Sequence, residues 1–181
     1  EELVRRARQS MEDMRSSRIH SLKIRFRGGP SALTPVGDHF PAMKPPREDL
    51  LDEEIVMGES DWDVLGPGWY DLENWPPKVR WTGKMATAYL RRGEKSKEIC
   101  VKAMTSFQGL VVWISANDER MGEDRLDPSK WTVLRAPLPD IGDDSPLKVG
   151  IEVLETWVPE VVAGNDDRRE LGLAVERIWV E

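Results

Sequence analysis

The sequence predicts an all-β protein, an antiparallel β-sandwich or jelly roll, preceded by an N-terminal helix and an irregular Pro/Gly-rich arm. Three observations carry that reading. From residue 66 onward, short apolar runs alternate with turn residues, which is the rhythm of antiparallel strands rather than of βαβ units. The final run places Leu173, Val175 and Arg177 on one parity and Ala174, Ile178 and Val180 on the other. It is therefore apolar on both sides apart from Glu176 and Arg177, as expected of a strand near the middle of a packed sheet. Eight tryptophans against three phenylalanines and two tyrosines supply broad apolar faces with one polar edge, suited to a sandwich core or to open stacking surfaces.

The elements follow in order. Residues 1–26 are rich in helix formers, and Val4, Ala7, Met11 and Met14 recur at the a/d spacing of a short coiled coil. The pattern opens without an N-cap signal, and so short a helix is marginal alone. The expectation is an upstream region or self-association through this helix. Residues 27–65 form an arm or linker, because Gly28, Gly29, Pro30, Pro35, Gly37, Pro41, Pro45 and Pro46 break regular structure. Within it, 48–54 is acidic with Leu50, Leu51, Ile55 and Val56 offering a partly apolar face, either a short helix or a first edge strand. The sandwich is expected over 66–181, with strands near 83–91, 98–106, 109–115, 131–136, 147–155 and 172–180. Turn chemistry separates them at Arg92-Gly93-Glu94, Gln108-Gly109, Asn117-Asp118, Asp127-Pro128-Ser129, 143–146 and Gly164-Asn165-Asp166. In the second strand Ile99, Val101 and Ala103 alternate with Cys100, Lys102 and Met104, and Cys100 is expected in or near the core as a small hydrophobe.

Charge narrows the function classes. With 26 basic and 33 acidic residues the net charge is −7, which argues against a nucleic-acid surface. No apolar run reaches the roughly 20 residues of a membrane helix, and the N-terminal residues lack a signal-peptide core. Cys100 is the only cysteine, so no internal disulfide forms, and a reducing, cytoplasmic setting is expected. The segment 22–27, Leu-Lys-Ile-Arg-Phe-Arg, is basic and apolar; it reads as a contact with the inner face of an anionic membrane or as a strand crossing the sandwich.

The richest candidate for chemistry lies between residues 69 and 81. Trp69, Tyr70, Trp75 and Trp81 are interleaved with Asp71, Glu73 and Asn74. Aromatic faces can hold the C–H side of a sugar ring while carboxylate and amide groups hydrogen-bond to vicinal hydroxyls. The plainer reading is a long irregular loop, marked by Pro76-Pro77, whose tryptophans plug one end of the sandwich. Asp166, Asp167 and Arg168, with Arg169 and Glu170, read as ligand or calcium contacts, or as a brace in which an arginine fork fixes the approach to the last strand. Asn117, Asp118, Glu119, Glu123, Asp124 and Asp127 crowd acids without an EF-hand register, and a solvated loop is expected there. His20 and His39 have no predictable catalytic partner, and no Gly-x-Gly-x-x-Gly, Walker or Gly-x-Ser-x-Gly motif occurs. No metal site and no cofactor are expected.

Two parts of the chain carry a resemblance. The stretch 12–27, Glu-Asp-Met-Arg-Ser-Ser-Arg-Ile-His-Ser-Leu-Lys-Ile-Arg-Phe-Arg, resembles the coiled-coil tail beside glycosyltransferase and methyltransferase domains of bacterial cell-surface polysaccharide assembly, with Ile19 and His20 where Ser and Trp are usual. Gly68-Trp-Tyr-Asp-Leu-Glu73, Val79-Arg-Trp-Thr-Gly83, Trp131-Thr-Val-Leu and the run 166–178 are similar to the β-sandwich domain appended to such O-antigen-type enzymes. The resemblance implies a jelly-roll-like, carbohydrate-binding-module-like accessory domain whose catalytic partner lies elsewhere. The expected function is therefore non-catalytic: binding or positioning a glycan, such as a lipid-linked polysaccharide, for a glycosyltransferase or methyltransferase. The alternative is a structural module that oligomerises and docks a partner enzyme without binding sugar.

Overall fold

The computed structural model describes residues 44–59, 61–106, 109–138 and 146–181, all within the unit Phe40–Glu181. The expected helix over 1–26, with His20 and the basic 22–27 segment, lies outside the described residues, as does His39.

Two antiparallel sheets face one another. The larger contains β1 (Glu54–Val56), β2 (Trp69–Glu73), β3 (Val79–Thr82), β5 (Glu98–Met104), β8 (Thr132–Pro137) and β10 (Ala174–Val180). Its order is β2-β3-β10-β5-β8, with β1 also paired to β10. The smaller sheet runs β4-β9-β6-β7, from β4 (Met85–Leu90), β9 (Leu147–Val153), β6 (Leu110–Ala116) and β7 (Glu119–Leu126). β6 and β9 each alternate buried and half-buried residues along their whole length, the signature of a sheet with one face in the core. Val112, Ile114, Val149 and Ile151 from this sheet meet Ile99, Val101, Leu134 and Ile178 from the other. The 48–54 ambiguity resolves into both alternatives: a 3-10 turn over Glu48–Leu50 and then β1, whose Ile55 is opposite Ile178.

β10 is interior, flanked by β5 on one edge and by β1 and β3 on the other. The two-sided apolar pattern of this strand has a second cause. Its register slips between Val175 and Arg177, so that Val175 is opposite Ala103 and Arg177 opposite Lys102, leaving Glu176 as an extra residue. Such a bulge reverses side-chain parity, and Leu173 and Val175 before it share the inter-sheet core with Ile178 and Val180 after it.

Two expectations are corrected. The acidic stretch after β6 is not a loop: Asn117 and Asp118, with φ of 48° and 71°, make a two-residue hairpin turn between Ala116 and Glu119, and β7 follows. β7 is an edge strand with only Leu126 buried, so it carries no apolar alternation to read. Residues 69–82 are likewise not one irregular loop. β2 and β3 pair as a hairpin around residues 74–78, which include a cis Pro76-Pro77 peptide.

Cys100 is fully buried, but on the outer face of the large sheet rather than between the sheets. Arg135 donates to its Sγ at 3.4 Å and also to Glu98 and Glu181. Among the described residues this is the one trio of Glu and Cys close enough to share a cation, and the Arg135 guanidinium is itself the cation held there. Desolvation raises the thiol pKa to about 11. Native protein at pH 8 is expected to resist a thiol-specific disulfide reagent and to release one equivalent of thiol on unfolding; rapid reaction of the folded chain would refute this placement.

Candidate functional site

The connection from β9 to β10 builds the site. It leaves the small sheet, crosses to the outer face of the large one, and is clipped there by reciprocal backbone hydrogen bonds of 2.8 Å between Trp157 and Leu171. It includes the short helix α1 (Pro159–Ala163), ended by Gly164 in the left-handed conformation. Beneath it a second apolar cluster forms from Val79, Trp81, Trp157, Leu171 and Ala174, with Tyr70, Met104 and Trp131 at its rim. Trp81 and Trp157 meet edge to face at 5.6 Å and 73°. Where this connection rejoins the sheet it presses on β3: Gly172 N–H donates to the Thr82 carbonyl at 2.7 Å. A Cβ at Gly172 would stand 2.6 Å from the Gly83 carbonyl oxygen, so the approach requires glycine.

The charged turn 165–170 is thereby set beside β2. Arg169 donates to Asp167 through Nε and Nη2, at 2.9 and 2.6 Å to the nearer oxygens, and its Nη2 reaches Glu73 Oε1 at 2.8 Å. Its guanidinium lies 5.4 Å over the Tyr70 ring, while the Tyr70 hydroxyl donates to the Glu170 carbonyl at 3.1 Å. Glu73 Oε2 accepts the Trp75 indole N–H at 2.7 Å, and Trp81 donates to the same carboxylate. Glu73 therefore receives three donors, leaving roughly one of its four lone-pair directions for a ligand.

A bulge in β2 makes this geometry. Trp69 is opposite Thr82 but Leu72 is opposite Arg80, so one extra residue sits between them. Trp69 and Leu72 both pack toward the inter-sheet core, while Tyr70 and Glu73 go to the outer face. Of the residues singled out in the sequence, Tyr70, Glu73, Trp75 and Asp167 come together. Trp69 falls on the other side of β2. Trp81, only 5% exposed, contributes its N–H but no open ring face. Asp71 and Asn74 are exposed on the strand and turn, Asp166 is exposed, and Arg168 pairs outward with Glu160 at 3.0 Å. The brace is Arg169, adjacent to the singled-out Arg168; sequence alone marks the Arg pair but not which member turns inward.

Electrostatically the site is quiet. Burial raises the Glu73 pKa, but hydrogen bonds from Trp75, Arg169 and Trp81 and the Arg169 charge outweigh it and hold the carboxyl below its ordinary value of 4.5. The Arg169 hydrogen bonds hold Asp167 below 3.8. Both groups thus contribute stability that is present above their unfolded pKa values and lost as pH falls through the folded ones. Stability is expected to decline below about pH 4, and Glu73→Gln to flatten that decline in urea titrations across pH; an unchanged slope would contradict the assignment.

No family model matches the chain, and no curated protein does. Among solved structures, a family 6 carbohydrate-binding module from Clostridium cellulolyticum in complex with xylose is similar at a TM-score of 0.46 and 7% identity, covering 73% of this chain and 98% of that one. A family 35 carbohydrate-binding module from an environmental isolate is similar at 0.36 and 12%, covering 70% and 81%. Neither similarity assigns a ligand to this chain.

Proposed function

We propose that the sandwich is a non-catalytic glycan-recognition domain, accessory to a glycosyltransferase or methyltransferase of cell-surface polysaccharide assembly. In this reading it works in the cytoplasm at the inner membrane face, its N-terminal segment joining copies of the chain. The observation that carries it is Trp75: an indole 36% exposed, oriented by its bond to Glu73 beside the Tyr70 ring and the fixed Arg169 fork. An open aromatic face next to hydrogen-bonding groups that are already in place suits a sugar ring, because little conformational freedom is lost on binding. Asp71 and Asn74 supply further acceptors and donors for hydroxyls.

Intrinsic fluorescence titration with bacterial surface oligosaccharides is expected to give a saturable shift. Trp75→Ala, folded by circular dichroism, should weaken binding about tenfold; equal binding by the variant would remove this site. The structural-module reading is favoured by one feature, the adjacent exposed valines of the short helix α1, Val161 and Val162, the first of which is 80% exposed. Sedimentation analysis of Val161→Asp tests it: a loss of self-association together with no sugar binding by the parent protein would select that reading.

A further inference from the structure

Trp62 and Trp69 form a second aromatic pocket on the opposite side of β2. Trp62 stands on a 3-10 turn, Trp62–Val64, and is 61% exposed. One of its faces lies 4.9 Å over the Arg80 guanidinium, which is buried and held by Asp61 at 2.6 Å. Its other face is therefore open. Trp69 is half-buried, and its N–H is spent on the Thr87 carbonyl at 2.7 Å, leaving an apolar wall with no polar demand. Between the two indoles, with Leu65 and Gly66, lies a cavity of about 160 Å³. Both walls are fixed before any ligand arrives, so an occupant loses only its own freedom. The space is far below the 300 to 1,000 Å³ of an ordinary small-molecule site; it suits one ring and excludes a helix.

We propose that this slot is a subsite for a single pyranose ring of a longer oligosaccharide whose other end lies on the Tyr70–Trp75 face. The inference rests on the glycan reading above and adds a chain-length requirement to it. Trp69 and Tyr70 are consecutive, with Cα atoms about 3.8 Å apart, and the alternation of the strand sends them to opposite sides. β2 ends the order of its sheet, so a saccharide chain laid across that edge meets both aromatic sites. A proline ring would also fit between two indoles, but the other end of the ligand would meet Glu73 and the Arg169 fork on the far side of β2, polar groups that match hydroxyls rather than a peptide lacking them.

Calorimetry with the full chain tests this, using β-1,4-gluco-, β-1,4-xylo- and α-1,6-manno-oligosaccharides of one to six sugars and a polyproline peptide as probes. Wild-type affinity for the recognised series should climb with length to a plateau. Trp62→Ala should lower the plateau about tenfold and leave the shortest sugars unaffected, while Trp62→Tyr, which keeps a ring over Arg80, restores most of the loss. Trp75→Ala should weaken every length. If Trp62→Ala binds all lengths like the wild type while Trp75→Ala does not, the slot is refuted and the glycan reading stands. If no sugar binds the wild type, or only polyproline does so through Trp62, both fall.

Discussion

Replacing Arg80 by methionine is expected to cost about 3 to 5 kcal/mol of stability, the range for a buried ion pair that loses one partner. The melting temperature should fall on the order of 10 °C. Arg80 and Asp61 are 8% and 4% exposed in their side chains. The guanidinium makes two bonds to the carboxylate, at 2.6 and 3.3 Å, and one to the Tyr70 carbonyl at 3.2 Å. Asp61 also accepts a backbone bond from Gly58. This pair ties the segment before β2 to β3, so its loss loosens both walls of the aromatic slot. Burial alone raises the Asp61 pKa, and the Arg80 hydrogen bond and charge with the Gly58 amide bring it below 3.8. In the wild type the group therefore adds stability above its unfolded pKa that disappears as pH falls through its folded one. Without Arg80 the burial effect is largely unopposed and the folded pKa rises, so the carboxylate is a liability at neutral pH that protonation relieves. The stability gap between the two proteins should narrow as pH drops from 7 to 4, measured by urea unfolding. Asp61→Asn with Arg80→Met should recover part of the loss. A gap under about 1 kcal/mol at neutral pH, the worth of a surface pair, would show that the bridge is not buried in solution.

What the sequence revealed about this protein depended on how each element meets water. β6 and β9 bury one face, and their alternation was legible; β10 was legible as an interior strand because Leu173, Ala174, Val175 and Ile178 are all buried. β7 was not, because an edge strand exposing Glu119, Arg120, Glu123, Asp124 and Arg125 has the composition of a loop. Its backbone pairing with β6 leaves no mark on side-chain polarity. The Glu176 bulge was hidden for a related reason, since an extra residue shifts parity without changing composition. At the candidate site the residue types were legible and their grouping was not. Trp69, Trp75 and Trp81 look alike in sequence, yet one walls a slot, one presents its face and one is buried against Trp157. Only the β2 bulge and the return of the 154–173 connection sort them. Trp62 belonged to the same tryptophan-rich stretch, but nothing in its neighbours signals that Arg80, eighteen residues on, would lie beneath it.

Gly68→Ala is expected to be at least as severe, exceeding 4 kcal/mol and placing it among the exceptional substitutions. Gly68 has φ of +95°, a backbone region that residues with a Cβ rarely occupy. The steric cost adds to that strain. A Cβ here would stand 1.9 Å from the Met85 carbonyl oxygen and 2.7 Å from the Ala86 Cα. Both are backbone atoms of β4, so no rotamer change gives relief and the strand itself must move. The Gly68 carbonyl accepts from Gly83 N–H at 2.8 Å, and Pro67 accepts from Thr87 at 3.0 Å. The 65–68 segment is therefore the seam at which the hairpin of the large sheet is sewn to β4 of the small one. Displacing it also removes the Thr87 carbonyl from the Trp69 N–H. The contrasting control is Gly164→Ala: φ is +67° but no atom lies within 4 Å of its added Cβ, so it bears conformational strain alone, about 1 kcal/mol. Comparing the two by urea unfolding separates the terms. Equal losses would mean that β4 yields to Gly68→Ala without cost and that the seam is not rigid; a difference of 3 kcal/mol or more, about twice the strain of one residue forced into this region, would locate the rigidity of the sandwich at the junction that also holds the Trp62–Trp69 slot.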